Sequence, residues 1–421
     1  MKLLIKSVKV VWENSEFHNQ VLDIYLEGGK IHSIGHSLSV NPEMVWESKG
    51  SFLSPGWFDL DASFGDPGYE MREDLQSGAE AARRGGFTGI GLMPNTHPPF
   101  HSKGEIDYIL TKSKELPLEI HPIGTISKNR DGKEMAELFD MFQTGARAFS
   151  DGDRVLENAG LLLRALQYTA GFGGRIFSYP EDHSLSGNAQ VHEGLESLVL
   201  GMKGIPSLAE ELMIVRDLLI ASYAGTPIHF TSISSKEGVE LIRKAKERGQ
   251  AVTAAVPSYH LYFTDEDLRG FDTNFKVRPP LRSKEDRESL IKGILDGTLD
   301  AITSRHRPHE IESKAVEFEL ALDGMINLET SFSLSHMGFG SQVPMDKWIG
   351  SMSQKPREIL GLKPLELKIG EEANLTWFHP GIDWIYDQKE SVSKSVNSPL
   401  LGKKLQGKVL GVISKNQISK F

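Results

Sequence analysis

Asp61, Asp151, Asp153 and His309 are the residues of this 421-residue chain whose types suit a hard divalent cation. Mg²⁺ and Mn²⁺ take carboxylate oxygens in preference to soft donors. Asn95, Arg278 and Arg305 form a second set, donors able to hold a small metabolite. The acidic cluster Asp66–Asp74 adds carboxylates and is read as a solvated loop, and His229, alone in an apolar strand, is read as structural. The chain has no cysteine, which excludes disulfides, thiolate metal sites and cysteine nucleophiles, and fits a reducing compartment. A net charge of −10 argues against a nucleic-acid partner. The opening segment Met1–Trp12 carries charges throughout, unlike a signal peptide, and no stretch reaches the ~20 apolar residues needed to span a bilayer. The expectation is a cytoplasmic protein with no membrane partner.

Two rhythms position these residues. Residues 1–54 alternate apolar and polar at Leu3–Ile5, Val8–Val10 and Val21–Tyr25, with a turn at Gly28-Gly29, which predicts antiparallel β structure. From Pro55 short apolar strands alternate with helical patterns, the mark of a parallel sheet. Candidate strands are Trp57–Ser63, Thr88–Pro94, Leu118–Ile126, Arg147–Asp151, Arg175–Tyr179, Pro227–Ile233, Ala251–Val256 (with Phe275–Arg278 nearby) and Leu299–Ser304. Such a set closes naturally into a barrel. Ser234-Ser235-Lys236-Glu237 reads as a capping box, and Leu75, Ala79 and Ala82 line one face of a helix closed by Gly85-Gly86. Past residue 364 the β pattern returns in Ala373–Phe378 and Lys408–Ser414, with Lys389–Pro399 between them read as a polar loop. The division expected is 1–54 and 364–421 as the two parts of a small β domain, with 55–363 as the barrel.

Several segments, in order, resemble the dihydroorotase family of the amidohydrolase superfamily. They run from Ser54-Pro55-Gly56-Trp57-Phe58-Asp59 and Asp66-Pro67-Gly68-Tyr69-Glu70 through Met93-Pro94-Asn95-Thr96 and Phe149-Ser150-Asp151. Asp272–Val277, Pro279–Arg282, Lys314–Phe318, Ser393-Lys394-Ser395 and Asn397-Ser398-Pro399 continue the match. The resemblance implies an α/β fold, a TIM-type (β/α)8 barrel with a small β-sandwich domain formed from both chain termini. It also implies a reaction that closes carbamoyl aspartate into dihydroorotate or opens that ring, with zinc polarising the amide and activating water.

Carried over residue by residue, the resemblance places the family's paired first-strand histidines at Asp61 and Ser63, and the arginine for the substrate carboxylate at Gly65. The fifth-strand histidine falls at Tyr179, the sixth-strand histidine at Ser232, and the proton-shuttling aspartate at Arg305. Asp151, Asn95 and His309 match residues of the family pocket; Arg278 stands where an asparagine faces the ring, and His306 follows the replaced aspartate. On this reading the chain has no catalytic residue, no bound metal and no cofactor, zinc being expected lost. The function expected is a non-catalytic structural or regulatory partner of aspartate transcarbamoylase, self-associating, joined to that enzyme, or both. The alternative is an active cyclic-amide amidohydrolase with an atypical metal site. Barrel closure makes the first and eighth strands neighbours, so Arg305 is expected within ion-pair distance of Asp61 or Asp151.

Overall fold

The structure is a computed structural model and describes residues 2–47, 49–340 and 343–421. The barrel is built from eight parallel strands. These are β6 (Trp57–Ala62), β7 (Phe87–Leu92), β8 (Glu119–Pro122), β9 (Ala148–Phe149), β10 (Arg175–Ser178), β13 (Ile228–Phe230), β14 (Val252–Pro257) and β15 (Ala301–Thr303). A short parallel pair, β11 (Val191–His192) and β12 (Gly204–Ile205), branches off between β10 and β13. Single bridges, Gly124 to Phe149 and Ala62 to His306, join the three-stranded and five-stranded arcs into a closed ring. Closure removes the exposed edges that an open sheet would present. Phe58, Leu60, Met93, Ile123, Phe177 and Ala255 fill the interior, and Ile359 and Leu360 pack against them. Phe275–Arg278, considered as a strand, instead begins in a short 3-10 turn over Thr273–Phe275.

Both chain ends enter one sheet. β1 (Lys2–Val10) pairs with β2 (Val21–Glu27), β4 (Met44–Glu47) and β5 (Phe52–Pro55), while β3 (Lys30–Gly35) lies beside β2. β16 (Leu375–Ile385) pairs with β5 and with β17 (Lys404–Ser414), and β18 (Gln417–Lys420) closes the far edge. A bulge between Ile5 and Val8, with Ser7 at φ 53°, breaks β1 into the two apolar runs seen in the sequence. Trp46 and Trp377 stack at 4.6 Å and tie the N-terminal and C-terminal parts together.

Helix ends follow local chemistry. Asp74 caps Leu75–Arg84 by accepting from Ser77 N at 2.8 Å, and the helix buries Leu75, Ala79 and Ala82. The cap before Lys236–Glu247 differs from the expected box. Ser235 is the cap, its third helical residue is Gly238, and Ser234 turns instead to Glu210. Among the described residues no helix is long and apolar enough to cross a membrane.

Candidate functional site

Asp61 is the last but one residue of β6, at the barrel mouth and fully buried, and each of its carboxylate oxygens meets a different guanidinium. Arg305 NH1 lies 2.9 Å from Oδ2 and Arg307 NH2 lies 2.6 Å from Oδ1. Asp153 completes the ring, with Oδ1 at 3.0 Å from Arg305 NH2 and 2.8 Å from Arg307 NH2. Arg307 Nε also donates to Asp153 Oδ2 at 2.9 Å. Two cations and two anions thus alternate around one centre, where each charge has partners of opposite sign. A buried charge is tolerated only when paired and hydrogen-bonded in this way.

Ser63, Tyr179 and Ser232 join the same network. Ser232 donates to Asp61 Oδ2 at 3.3 Å and accepts from Arg305 NH1 at 2.7 Å. Asn95 Nδ2 reaches Ser63 Oγ and Asp153 Oδ2, both at 2.9 Å. The Arg305 guanidinium sits 4.8 Å above the Tyr179 ring, and the Tyr179 hydroxyl donates to Glu181 at 2.8 Å. Arg305 at φ 45° and Ser232 at φ 56° adopt left-handed backbone just past the ends of β15 and β13. Such conformations cost on the order of 1–3 kcal/mol and gather at ligand sites. The strand ends therefore aim these side chains inward as a binding site would.

Burial and pairing set the protonation states. For Asp153, partial burial raises the carboxyl, but the Arg307 and Arg305 guanidiniums outweigh it and hold the group below the usual range. For both arginines burial works against the charge, yet Asp153 and Asp61 raise them further into the cationic range. Burial, then the neighbouring Glu181 carboxylate, pushes the Tyr179 phenol well above its ordinary value. Arg305 is therefore a permanent cation, unable to accept a proton.

Other expected residues lie at the mouth in supporting roles. Asp151 does not pair with Arg305; it accepts from Ile126 N and Ser127 N at 2.9 and 3.0 Å and from Ser127 Oγ at 2.6 Å. Burial raises its carboxyl despite those donors. His309 donates from Nε2 to the Asp323 carbonyl at 2.9 Å, and burial lowers it to about 4, leaving it neutral. Asp61, Asp151, Asp153 and His309 consequently do not converge as an oxygen cage. Arg278 gives its guanidinium to Glu181, with Nε at 2.9 Å from Oε1, and to Ser186, so it too is engaged. His306 accepts from Asn327 N at 3.1 Å and faces Glu73 at 3.5 Å.

One local reading is corrected. The Asp66–Asp74 segment is not a solvated loop, because Asp66 and Glu73 are fully buried. Asp66 pairs with Lys112 at 2.7 Å, and Glu73 accepts from the Ser393 hydroxyl and from Lys394 N. His229 lies inside the barrel against Phe177, its Nδ1 at 2.9 Å from Thr253 Oγ1.

Gly65, at the position of the family arginine, is enclosed. A Cβ there would collide with the Tyr69 carbonyl, since Tyr69 N folds back onto Gly65 O at 2.5 Å. The loop leaves no room for a side chain at this position. Sequence reasoning missed Arg307 altogether and gave Asp153 only a metal-binding role. The available signal was the run Arg305-His306-Arg307 itself, two cations with one residue between them.

A family model described as dihydro-orotase-like matches residues 50–238. The dihydroorotase of Syntrophus aciditrophicus (strain SB) is 39% identical over 422 residues, covering 99% of either chain. That of Caldicellulosiruptor saccharolyticus is 38% identical, covering 99% of this chain and 98% of its own. Among solved structures, L-hydantoinase (dihydropyrimidinase) from Arthrobacter aurescens matches with a TM-score of 0.84 at 24% identity, over 99% of this chain and 95% of that one. D-hydantoinase from Thermus sp. gives 0.82 at 19%, with the same coverage. These structures establish the fold, a TIM-type barrel with a separate β domain.

The relatives correct the expectation that the chain has no cofactor. They are named dihydroorotase, and dihydroorotases are a metal-dependent amidohydrolase family. Five side chains read singly describe what those side chains can ligate; they do not set the family's requirement. The residues at the five positions nevertheless do not fit zinc. Asp61 is the one carboxylate among Asp61, Ser63, Tyr179, Ser232 and Arg305, and guanidiniums take both its oxygens. Zinc wants three or four imidazole, thiolate or carboxylate donors.

Proposed function

The chain belongs to the dihydroorotase-like family, whose activity lies in pyrimidine biosynthesis, and from that premise we propose that it is a non-catalytic member serving as a structural or regulatory partner of aspartate transcarbamoylase. The observation that carries this reading is the closed ring of Asp61, Arg305, Asp153 and Arg307. Ring opening needs a group that takes a proton from the attacking water and returns it to the leaving nitrogen. Arg305 stands at that position as a cation held by two carboxylates, so it has no lone pair to offer. Asp61, the nearest carboxylate, has both oxygens engaged. The closed loop at Gly65 leaves no room for a cation to bind the substrate carboxylate there.

A family member without the reaction still offers a folded barrel and a surface, and the surface is what a partnership requires. The test has two arms on the same purified chain. Dihydroorotate hydrolysis and carbamoyl aspartate cyclisation are assayed across the elution profile, and the chain is mixed with the aspartate transcarbamoylase of its own organism for sizing. Expected are no turnover that follows the chain and a complex heavier than either component. Turnover that co-elutes with the chain and disappears in Asp61→Ala would establish the active alternative instead. Separate elution of the two proteins would end the partnership reading.

A further inference from the structure

Barrels of this kind work at the C-terminal ends of their strands, and the opposite face ordinarily contributes stability alone. The floor of this barrel carries more than packing. The helix Gln354–Ile359 lies against it, and Ile359 and Leu360 join the barrel's inner cluster. Beside that helix a cavity of about 300 Å³ enters between the first residues of β10, β13 and β14. Small-molecule sites start at roughly this volume and set apolar walls around a few placed polar groups. Phe177, Pro227, Val252 and Ile359 give the cavity its apolar wall. The Thr253 hydroxyl, 2.9 Å from His229 Nδ1, and the Gln250 amide add neutral polar groups. His229 itself, 2% exposed, also lines the cavity, and its Nε2 has no hydrogen-bond partner.

The charges around the cavity do not cancel. Asp300 is saturated, with Lys246 Nζ at 2.8 and 2.7 Å from its two oxygens and Ala254 N donating at 2.8 Å. Lys355 and Glu358 pair with each other at 3.1 Å. Arg175, partly buried at the start of β10, has no such partner: among the described residues its guanidinium makes no ion pair and no side-chain hydrogen bond. The cavity is thus left with one uncompensated cation and no uncompensated anion. A guanidinium presents two parallel N–H donors, the geometry that a carboxylate accepts.

We propose that this cavity is a binding site for a small monocarboxylate with an apolar body, its carboxylate on Arg175 and its body between Phe177 and Ile359. A single ring or a branched chain suits the volume. A dianion such as inorganic phosphate brings a second charge that nothing here balances, and no apolar surface for the wall to cover. An amine would set one cation against another. The site lies at the far end of the barrel from the ring of Asp61, Arg305, Asp153 and Arg307, and it stands whether or not the chain turns over dihydroorotate.

The test is a saturation-transfer NMR titration of the full chain with benzoate, phenylacetate and isovalerate, with benzamide as the uncharged control. Expected is saturable binding of at least one carboxylate, with benzamide weaker. Loss of a charge-assisted pair should cost about tenfold or more in affinity in Arg175→Gln, with the thermal transition retained. Arg175→Lys keeps the charge without the fork and should recover part of that loss. Arg278→Gln, at the mouth, should leave the affinity unchanged. Absence of saturable binding for all three carboxylates overturns the proposal, as does benzamide binding as tightly as benzoate. Binding that is indifferent to Arg175→Gln and weakened by Arg278→Gln places the carboxylate at the mouth and equally overturns it.

Discussion

The rim and the centre of the barrel mouth are built from different kinds of contact. On the rim, side chains hold backbone. Lys314 Nζ donates to the carbonyls of Leu322 at 2.8 Å and Gly324 at 3.0 Å, and Lys276 Nζ donates to those of Phe318, Glu319 and Ala321. Asn397 donates to the carbonyls of Arg307 and Gly324 and accepts from His309 N. At the centre, the charged side chains chiefly hold each other, through Asp61, Arg305, Asp153 and Arg307, with Arg305 Nε also donating to the Arg278 carbonyl at 2.8 Å and Arg307 to that of His306 at 3.1 Å. The rim residues lie in the segments that resemble the family, whereas Asp61 and Arg305 at the centre stand at positions where the resemblance led to the expectation of a histidine and an aspartate. Loop architecture and site chemistry are therefore encoded by separate residues, and one can change while the other stays.

The largest effect should come from the centre. Asp61→Ala leaves Arg305 and Arg307 buried with one carboxylate between them, and breaking a buried pair costs about 3–5 kcal/mol. Denaturant unfolding should show that loss. Arg305→Asp should destabilise by a similar amount without creating turnover, because it gathers three carboxylates in the same pocket. If either variant kept full stability, the centre would be no more structural than an exposed ion pair.

The rim should respond less, and for another reason. Lys314→Met removes a buried ammonium and strands the carbonyls it held, a cost of roughly 1–3 kcal/mol for unsatisfied polar groups. The loss should appear first as faster hydrogen exchange in residues 314–324, before global unfolding. Gly65→Arg should cost about 1–3 kcal/mol as an overpacked site, and should fail to bind a carboxylate ligand because the Tyr69 carbonyl occupies the space.

The subtlest contrast is in pH. Asp153 has a folded pKa below its ordinary value, so its contribution is present above the unfolded pKa and is lost as pH falls through the folded one. Glu119 behaves alike, since burial raises it but His121 and Arg357 outweigh that and lower it to about 2. Stability should decline as pH falls below about 4.5, the ordinary carboxylate range. Asp153→Asn should flatten that decline while Lys314→Met leaves its slope unchanged. Equal slopes in the two variants would merge the rim and the centre into one electrostatic unit.

Much of the rim and fold was legible because periodicity carries it. Alternation marked the terminal β segments, and short apolar runs marked the barrel strands. The Asp61–Arg305 pair followed from barrel closure, which makes the first and eighth strands adjacent. What was not legible lies past the strand ends. Asp153 and Arg307 sit in loops where no period fixes the direction of a side chain. Glu181 was visible in its motif beside Tyr179, but its guanidinium partner Arg278 comes from a loop 97 residues away in the chain. The left-handed backbone at Ser232 and Arg305 is likewise invisible to a pattern of alternation.

The most direct measurement is a double-mutant cycle on Asp61 and Arg305, using Asp61→Ala, Arg305→Ala and the double variant in urea. If the centre is an ion-paired plug, the two losses should be strongly non-additive, with a coupling energy of at least about 1.5 kcal/mol. Losses that add to within about 0.5 kcal/mol would mean that the two residues are merely neighbours, and would contradict the account of the mouth as a closed ring.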